Sequence, residues 1–256
     1  MSFSRKILVG DVGIEILAEP DSWSPPVLKN HDSFEGDAEA VLEAKLVRVE
    51  NDEYHQPTFS GNVLSVCYDP VNGMYEINYK MRRHLAFLAG ILSPDYRFVH
   101  GAGISSGGIG IVLIGTSGSG KTSISTAFGR DDVLDDDLLL ASGKSLRRVS
   151  NVGYLSGYDT GLMEKLTNRK GEATITAVYL LDPGMDARIE EADRSVDPKI
   201  TYDPRLGEGL YEHHASRGPH VFCAPVFRLG TAGLSGEYRL GKSSRLADMI
   251  RSNSGY

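Results

Sequence analysis

Cysteine is scarce in this sequence, and no apolar run is long enough to cross a membrane. Cys67 and Cys223 are the only cysteines among 256 residues, too few for a disulfide framework or a zinc site. The longest apolar stretch, Leu85–Leu92, is far shorter than the roughly 20 residues of a membrane span. Asp11 and Glu15 interrupt the apolar residues near the N-terminus, which is not the pattern of a signal peptide. These features predict a cytoplasmic protein with no membrane partner.

A surplus of positive charge is also missing. Lysine and arginine number 27 against 34 aspartate and glutamate residues, which gives a net charge of −7. An acidic chain without basic blocks is disfavoured as a partner of nucleic acid, because phosphate backbones attract clustered cations. The chain is long enough for one large domain or two small ones.

A glycine-rich loop matches every fixed position of the phosphate-binding pattern G-x-x-x-x-G-K-[ST]. The β-branched run Ile109–Ile114 before it is typical of a buried strand, and Thr122–Phe128 after it has helical spacing. Backbone N–H groups of such a loop form an anion nest, Lys121 would contact the β- and γ-phosphates, and Thr122 would bind Mg²⁺. The sequence therefore predicts ATP and Mg²⁺ as cofactors. The nucleotide-binding residues are Gly115, Thr116, Ser117, Gly118, Ser119, Gly120, Lys121 and Thr122.

An acidic run, Asp135-Asp136-Asp137, follows Lys121 by about one helix and a return to the sheet. Two carboxylates beside a phosphate loop can divide the work of phosphoryl transfer, one binding Mg²⁺ and one accepting the proton of the attacking hydroxyl. A carboxylate base needs a neighbour that orients it. His100, just before the loop strand, is the candidate for that role.

The remainder of the chain indicates an α/β fold whose first part is mainly β. Alternation and turn residues predict strands over residues 1–79, including Met74–Tyr79, and a phosphate-loop core over residues 80–256. The pattern leaves open whether these parts form one continuous domain. Helices are predicted at Lys80–Leu92, Pro204–Ala215 and Ser243–Ser252, and a strong strand at Thr174–Leu181.

Three segments together resemble the catalytic core of the HPr kinase/phosphorylase family, within the phosphoenolpyruvate-carboxykinase-like group of phosphate-loop folds. They are Phe98–Ala102, Gly107–Thr122 and Leu134–Leu138. The resemblance implies a phosphate-loop core with a mixed sheet. It also implies that His100 lies near the catalytic carboxylate and the γ-phosphate.

The same resemblance assigns roles within the acidic run. It implies Asp136 as the proton acceptor and Asp137 as a Mg²⁺ ligand together with Thr122. A shift of register by one would make the pair Asp135 and Asp136 instead. Leu138, which begins the next apolar strand directly, favours the pair Asp136 and Asp137.

The chain departs from the family downstream of this core. True HPr kinases carry a Glu-Ile-Arg-Gly signature, whereas residues 156–161 of this chain are Ser-Gly-Tyr-Asp-Thr-Gly. The resemblance therefore favours the shorter HPr-kinase-like proteins, some of which phosphorylate serine in a peptide, including lasso-peptide precursors. The predicted function is a serine kinase with Asp136, His100 and Lys121 as catalytic residues. The alternatives are a kinase of a small hydroxyl metabolite and an ATP-binding regulator without catalysis, and both a monomer and a homo-oligomer stay open.

Other residues carry weaker signals for the same chemistry. Asp182 ends a strand of the Walker B type, but Pro183 and Gly184 after it indicate a turn. His213 and His214 are adjacent on a predicted helix, and neighbouring helical residues point too far apart to chelate one ion. Arginines that could neutralise the transferred phosphoryl group are Arg147, Arg148 and Arg228.

Overall fold

A computed structural model gives the fold of the chain. The chain divides into two compact units, Met1–Pro94 and Asp95–Tyr256. The structure describes residues 3–9, 12–18, 42–48, 58–60, 63–68, 74–106, 108–149, 153–156, 163–166, 171–203, 208–234 and 239–255.

The first unit contains a five-stranded sheet with strand order β1-β2-β3-β5-β4. The outer pairs β1–β2 and β4–β5 are antiparallel, whereas β2–β3 and β3–β5 are parallel. This sheet agrees with the β-rich character predicted for the first part of the chain. Its elements are β1 (Phe3–Val9), β2 (Val12–Ala18), β3 (Leu42–Arg48), β4 (Thr58–Ser60), β5 (Val63–Tyr68) and the helix α1 (Met74–Leu92).

Helix α1 begins earlier than predicted, and the strand predicted at Met74–Tyr79 is wrong. These residues form the first turns of α1, which has 19 residues. Met74 and Ile77 continue the three- and four-residue spacing of Met81 and Leu85, so the helical period extends back through a segment that also alternates like a strand. Neither α1 nor any other helix among the described residues is long and apolar enough to cross a membrane.

The second unit is built on a large mixed sheet that carries helices. The strands of this unit are β6 (Arg97–Ser106), β7 (Ile109–Ile114), β8 (Val133–Asp135), β9 (Leu138–Ala141), β10 (Ser145–Arg148), β11 (Gly153–Ser156), β12 (Met163–Leu166), β13 (Glu172–Asp182), β14 (Ile189–Ala192), β15 (Ser195–Val196), β16 (His220–Val221) and β17 (Val226–Gly230). Two small sheets, β11–β12 and β15–β16, are separate from the large one. The helices of this unit are α2 (Lys121–Phe128), α3 (Pro198–Thr201), α4 (Glu208–Ser216) and α5 (Arg239–Ser254).

The strand order of the large sheet is β10-β9-β6-β7-β13-β17-β14, with β8 paired to β6. Strands β7, β13 and β17 are parallel, while β6 is antiparallel to both β7 and β9. Strand β10 also pairs with the first residues of β13, so the pairings of β9, β6, β7, β13 and β10 close into a ring. The mixed sheet expected from the sequence is therefore present.

Alternation along β7 divides its side chains between two cores. Ile111 and Leu113 belong to the apolar cluster that includes residues of α2 and α5. Val112 and Ile114 belong to the cluster on the opposite face. All four are fully buried, which anchors the strand on both faces. The loop that follows Ile114 therefore leaves the sheet from a fixed position.

Candidate active site

The glycine-rich loop joins the end of β7 to the start of α2. Gly118 and Gly120 have φ angles of 80° and 100°, in the region that side-chain-bearing residues rarely adopt. No side chain of the described residues caps α2, and its first turn carries no acidic residue. The first N–H groups of a helix have no partner within the helix and carry the positive end of its dipole. The end of the loop can therefore bind an anion.

The side chains of Lys121 and Thr122, the first residues of α2, have different hydrogen-bond partners. The Lys121 ammonium donates hydrogen bonds to the carbonyl oxygens of Gly115 and Thr116, at 2.7 and 3.0 Å, so its charge lies inside the loop. The Thr122 hydroxyl donates to Asp136 Oδ2 at 2.6 Å. These two residues thus present a cation to the loop and a hydroxyl to the acidic run.

The three carboxylates of the acidic run have different partners. Asp135 is fully buried, and its Oδ1 accepts hydrogen bonds from the backbone N–H groups of Asp137 and Leu138, at 3.2 and 3.0 Å. Asp136 accepts hydrogen bonds from Thr122 and from the Ser125 hydroxyl, the latter at 3.2 Å. Asp135 thus shapes the turn, while Asp136 lies against the first turn of α2.

Asp137, the third carboxylate, faces the histidine predicted from the sequence. His100 Nε2 lies 2.9 Å from Asp137 Oδ1, and both side chains are largely buried. His100 therefore contacts Asp137, although the resemblance links this histidine to the catalytic carboxylate and gives that role to Asp136. The contacts accordingly pair Thr122 with Asp136 and His100 with Asp137.

Strand β6 brings these groups together. Gly101 is opposite Ile114, the last residue of β7, and His100 is opposite Leu138, the first residue of β9. The N–H group of Gly101 also donates to the carbonyl oxygen of Asp137 at 3.2 Å. The start of β6 therefore lies between the exit of the glycine-rich loop strand and the acidic run.

Asp203 is a further member of this cluster, and the sequence did not predict it. Its side chain is fully buried, as is most of His100. One donor atom each of His100, Asp137 and Asp203 lies within 4.8 Å of the other two. Asp203 follows α3, about a hundred residues after His100, and belongs to no motif or period, so only the tertiary fold reveals it.

The aspartate and arginines that carry weaker sequence signals have other contacts in the structure. Asp182 Oδ1 accepts a hydrogen bond from the Gly184 N–H group at 2.9 Å, which closes the turn that Pro183 and Gly184 predict. Arg147 bonds to Glu172 at 2.9 Å and lies over the ring of Tyr96, and its hydrogen bond lowers the pKa of Glu172. Arg148 is buried and Arg228 is exposed on β17.

The two adjacent histidines of α4 also differ from each other. His213 is exposed, whereas His214 is buried and its Nε2 lies 2.9 Å from the Thr201 hydroxyl oxygen. Burial and the nearby charge of Arg97 lower the pKa of His214 to about 4. His214 is therefore a neutral, buried residue at neutral pH.

Comparison with known proteins gives a weak structural similarity. No family model matches the sequence, and no curated protein matches it. Among solved structures, the fold is similar to the Hpr(Ser) kinase/phosphatase from Coxiella burnetii, with a TM-score of 0.38 and 11% sequence identity over 62% of this chain and 99% of that chain. A similarity of this size does not assign the chain to a family.

Proposed function

We propose that the protein is a kinase that uses ATP and Mg²⁺ and transfers the γ-phosphoryl group to a serine hydroxyl of a peptide or protein. The observation that carries this proposal is a pair of adjacent carboxylates at the glycine-rich loop. Asp136 accepts the hydrogen bond of Thr122, and Asp137 is paired with His100. A protein that only senses a nucleotide needs no second, oriented carboxylate, so the pair favours catalysis over a regulatory role.

The loop and Lys121 supply the phosphate-binding part of the site. The loop N–H groups and the start of α2 would hold the β- and γ-phosphates. Lys121 donates to two loop carbonyl oxygens, and phosphate oxygens would replace these acceptors when ATP binds. Its charge then stabilises the negative charge that develops on the transferred group.

The contacts favour an exchange of the roles that the resemblance assigned within the acidic run. The Thr122 hydroxyl is the loop ligand of Mg²⁺ in this motif, and its direct partner is Asp136. Hydrogen bonds from Thr122 and Ser125 engage both carboxylate oxygens of Asp136, so that this side chain lies against α2. We therefore assign Thr122 and Asp136 to the magnesium ion, which neutralises phosphate charge when bound.

Asp137 then accepts the proton, with His100 as its positioning residue. The contact at 2.9 Å fixes one carboxylate oxygen and directs the other towards the acceptor. The serine oxygen forms a bond to the γ-phosphorus as the bond from phosphorus to the bridging oxygen breaks. ADP leaves with that electron pair, and the serine proton goes to Asp137.

The choice of serine as acceptor rests on the resemblance of residues 98–138, and a small hydroxyl metabolite is the competing substrate class. Incubation with γ-labelled ATP, Mg²⁺ and either serine-containing peptide libraries or a panel of hydroxyl metabolites separates the two. Label on peptides supports the proposal, and label only on metabolites replaces its acceptor. ATP binding without any transfer identifies the regulator.

Variants of the acidic run test the assignment of roles. Asp137→Asn should lower kcat by about 10²- to 10⁴-fold, the usual contribution of a general base, and leave the Kd for ATP nearly unchanged. Asp136→Asn should instead raise the Mg²⁺ concentration needed for half-maximal rate by about tenfold or more. Asp182→Asn, at the turn after β13, is the matched control and should change neither quantity. The opposite pattern in the first two variants would restore the roles that the resemblance assigned.

A further inference from the structure

Two arginines from distant parts of the chain lie together where β6 begins. Arg97, the first residue of β6, donates two hydrogen bonds from Nη1 to the carbonyl oxygens of Gly218 and Pro219, both at 2.9 Å. Arg217, just after α4, donates from Nη1 to the carbonyl oxygen of Tyr96 at 3.1 Å. Each arginine therefore bonds to the backbone next to the other one. We call Arg97 and Arg217 the arginine pair.

The surroundings of the arginine pair are positively charged. Within the described part of the chain, Arg97 forms no ion pair with a carboxylate, and its carbonyl partners accept hydrogen bonds without neutralising its charge. Burial and then the charge of Arg97 lower the pKa of His214 to about 4 and that of His220 to about 3. Burial and the same charge also lower the pKa of Arg217. A bound anion would be attracted to this cluster of cationic groups.

The turn beside the arginine pair leaves room for a ligand. Arg97 and Arg217 are both partly exposed, and Pro219 is exposed. A Cβ at Gly218 would meet no atom within 4 Å, so the surface above this turn is open. A guanidinium group has five N–H donors, and Arg97 uses only Nη1 for the turn. Its Nε and Nη2 groups can therefore bind a carboxylate through two parallel hydrogen bonds.

The strand β6 connects the arginine pair to the candidate active site. Gly101 is opposite Ile114, the last residue of β7, and Arg97 precedes Gly101 by four residues. Strand β6 therefore extends past the point where the glycine-rich loop leaves the sheet. His100, which contacts Asp137, follows Arg97 by three residues, a distance of about 10 Å in an extended strand. The arginine pair thus lies at the same end of the sheet as Asp137, a few residues further out.

We propose that the arginine pair binds a carboxylate of the acceptor peptide, about three residues from the serine that receives the phosphoryl group. An extended peptide advances about 3.3 Å per residue, so a serine at Asp137 places a carboxylate three residues away near the pair. This inference rests on the proposed function, because it requires a peptide acceptor at Asp137. The carboxylate belongs either to an aspartate or glutamate side chain or to the C-terminus of the peptide, since both have the same chemistry.

Matched peptides and γ-labelled ATP test the inference. One set carries a single serine and one aspartate at each position within about five residues of it, and each peptide has an asparagine version without the charge. A second set has no acidic side chain and ends about three residues after the serine, either as a free acid or as an amide. A carboxylate at the favoured position should lower KM by about 10- to 100-fold. Preference in the first set assigns a side chain, and preference in the second assigns the C-terminus. Equal KM values within every matched pair would overturn the proposal.

Variants of the arginine pair separate recognition from a structural role. Arg217→Gln removes the charge but keeps a side-chain donor for the Tyr96 carbonyl oxygen, and it should bring the ratio of the two KM values in the favoured pair close to one. Arg194→Gln is the matched control, because Arg194 is exposed and also donates to a backbone carbonyl oxygen, that of Cys223; it should keep the wild-type ratio. A change of both KM values that leaves the ratio intact in Arg217→Gln would overturn the proposal. If this variant fails to fold, salt provides a second measurement, since NaCl should raise the wild-type KM for the carboxylate peptide only.

The outcomes for the arginine pair and for the kinase can be separated. Fluorescence anisotropy measures binding of the same peptides, carrying a dye, in the absence of ATP. A protein that phosphorylates serine peptides with no preference for a carboxylate refutes the role of the arginine pair and leaves the kinase in place. A protein that binds the carboxylate peptide more tightly than its uncharged partner, loses this difference in Arg217→Gln, and transfers no phosphoryl group refutes the kinase and leaves the carboxylate site in place.

Discussion

Gly120, the last residue of the glycine-rich loop, should tolerate a methyl group less well than Gly118. Its φ of 100° costs an alanine about 1–2 kcal/mol. A Cβ at this position would also lie 2.4 Å from Leu234 Cδ1, and overpacking of this kind costs about 1–3 kcal/mol. Gly120→Ala should therefore reduce the free energy of unfolding by about 2–5 kcal/mol.

Gly118 is the matched control, because its φ is 80° and a Cβ there meets no atom within 4 Å. Gly118→Ala should cost only the backbone contribution of about 1–2 kcal/mol. Scanning calorimetry of both variants measures the difference, and each kcal/mol shifts Tm by about 2–4 °C in a chain of this size. In a Leu234→Ala background, the cost of Gly120→Ala should fall to that of Gly118→Ala. Equal losses in the two single variants, or no relief by Leu234→Ala, would refute the steric account.

Two predictions concern groups away from the loop. The pKa of His214 is lowered to about 4 in the folded state, so the unfolded chain binds more protons between pH 6.5 and about 4, and stability should fall by about 3 kcal/mol as the pH falls through this window. His214→Gln should flatten this part of the pH profile of urea unfolding, whereas the exposed neighbour His213→Gln should not; equal slopes would contradict the assignment. The Tyr179 hydroxyl lies 2.6 Å from the Ser254 hydroxyl at the end of α5, so Tyr179→Phe should lower the free energy of unfolding by about 1 kcal/mol. Ser254→Ala should add less than its own single effect in the Tyr179→Phe background, and fully additive losses in calorimetry would argue against the contact.

The sequence predicted the parts of the site that follow from local patterns. Strand β7, the glycine-rich loop and α2 are contiguous, so β-branched residues, glycines and helical spacing specify them without knowledge of the tertiary fold. The return of the acidic run required one further assumption, that one helix and a return to the sheet bring the run back beside the loop. The structure places Asp136 in contact with Thr122, as that assumption requires.

Tertiary contacts determined what local patterns could not. The identity of the carboxylate beside His100 depends on the turn that Asp135 stabilises by accepting two backbone hydrogen bonds. A turn of this kind directs the side chains of Asp136 and Asp137 to different partners. Asp203 lies just after α3, and no periodic pattern or motif in the sequence indicates that it reaches the site. The strand predicted at Met74–Tyr79 was wrong because its alternation and its helical period coincide over six residues.

The antiparallel placement of β6 explains why one site can combine residues from such different segments. In a sheet with only parallel strands, the loop after β7 would lie beside the carboxyl ends of the neighbouring strands. Because β6 runs in the opposite direction to both β7 and β9, His100 lies opposite the start of β9 and the next residue, Gly101, lies opposite the end of β7. His100 is therefore supplied by a strand beginning, next to a loop supplied by a strand end. His100 is held opposite Leu138 of β9 and contacts Asp137 directly, so under the proposed function it would orient Asp137 before any substrate binds.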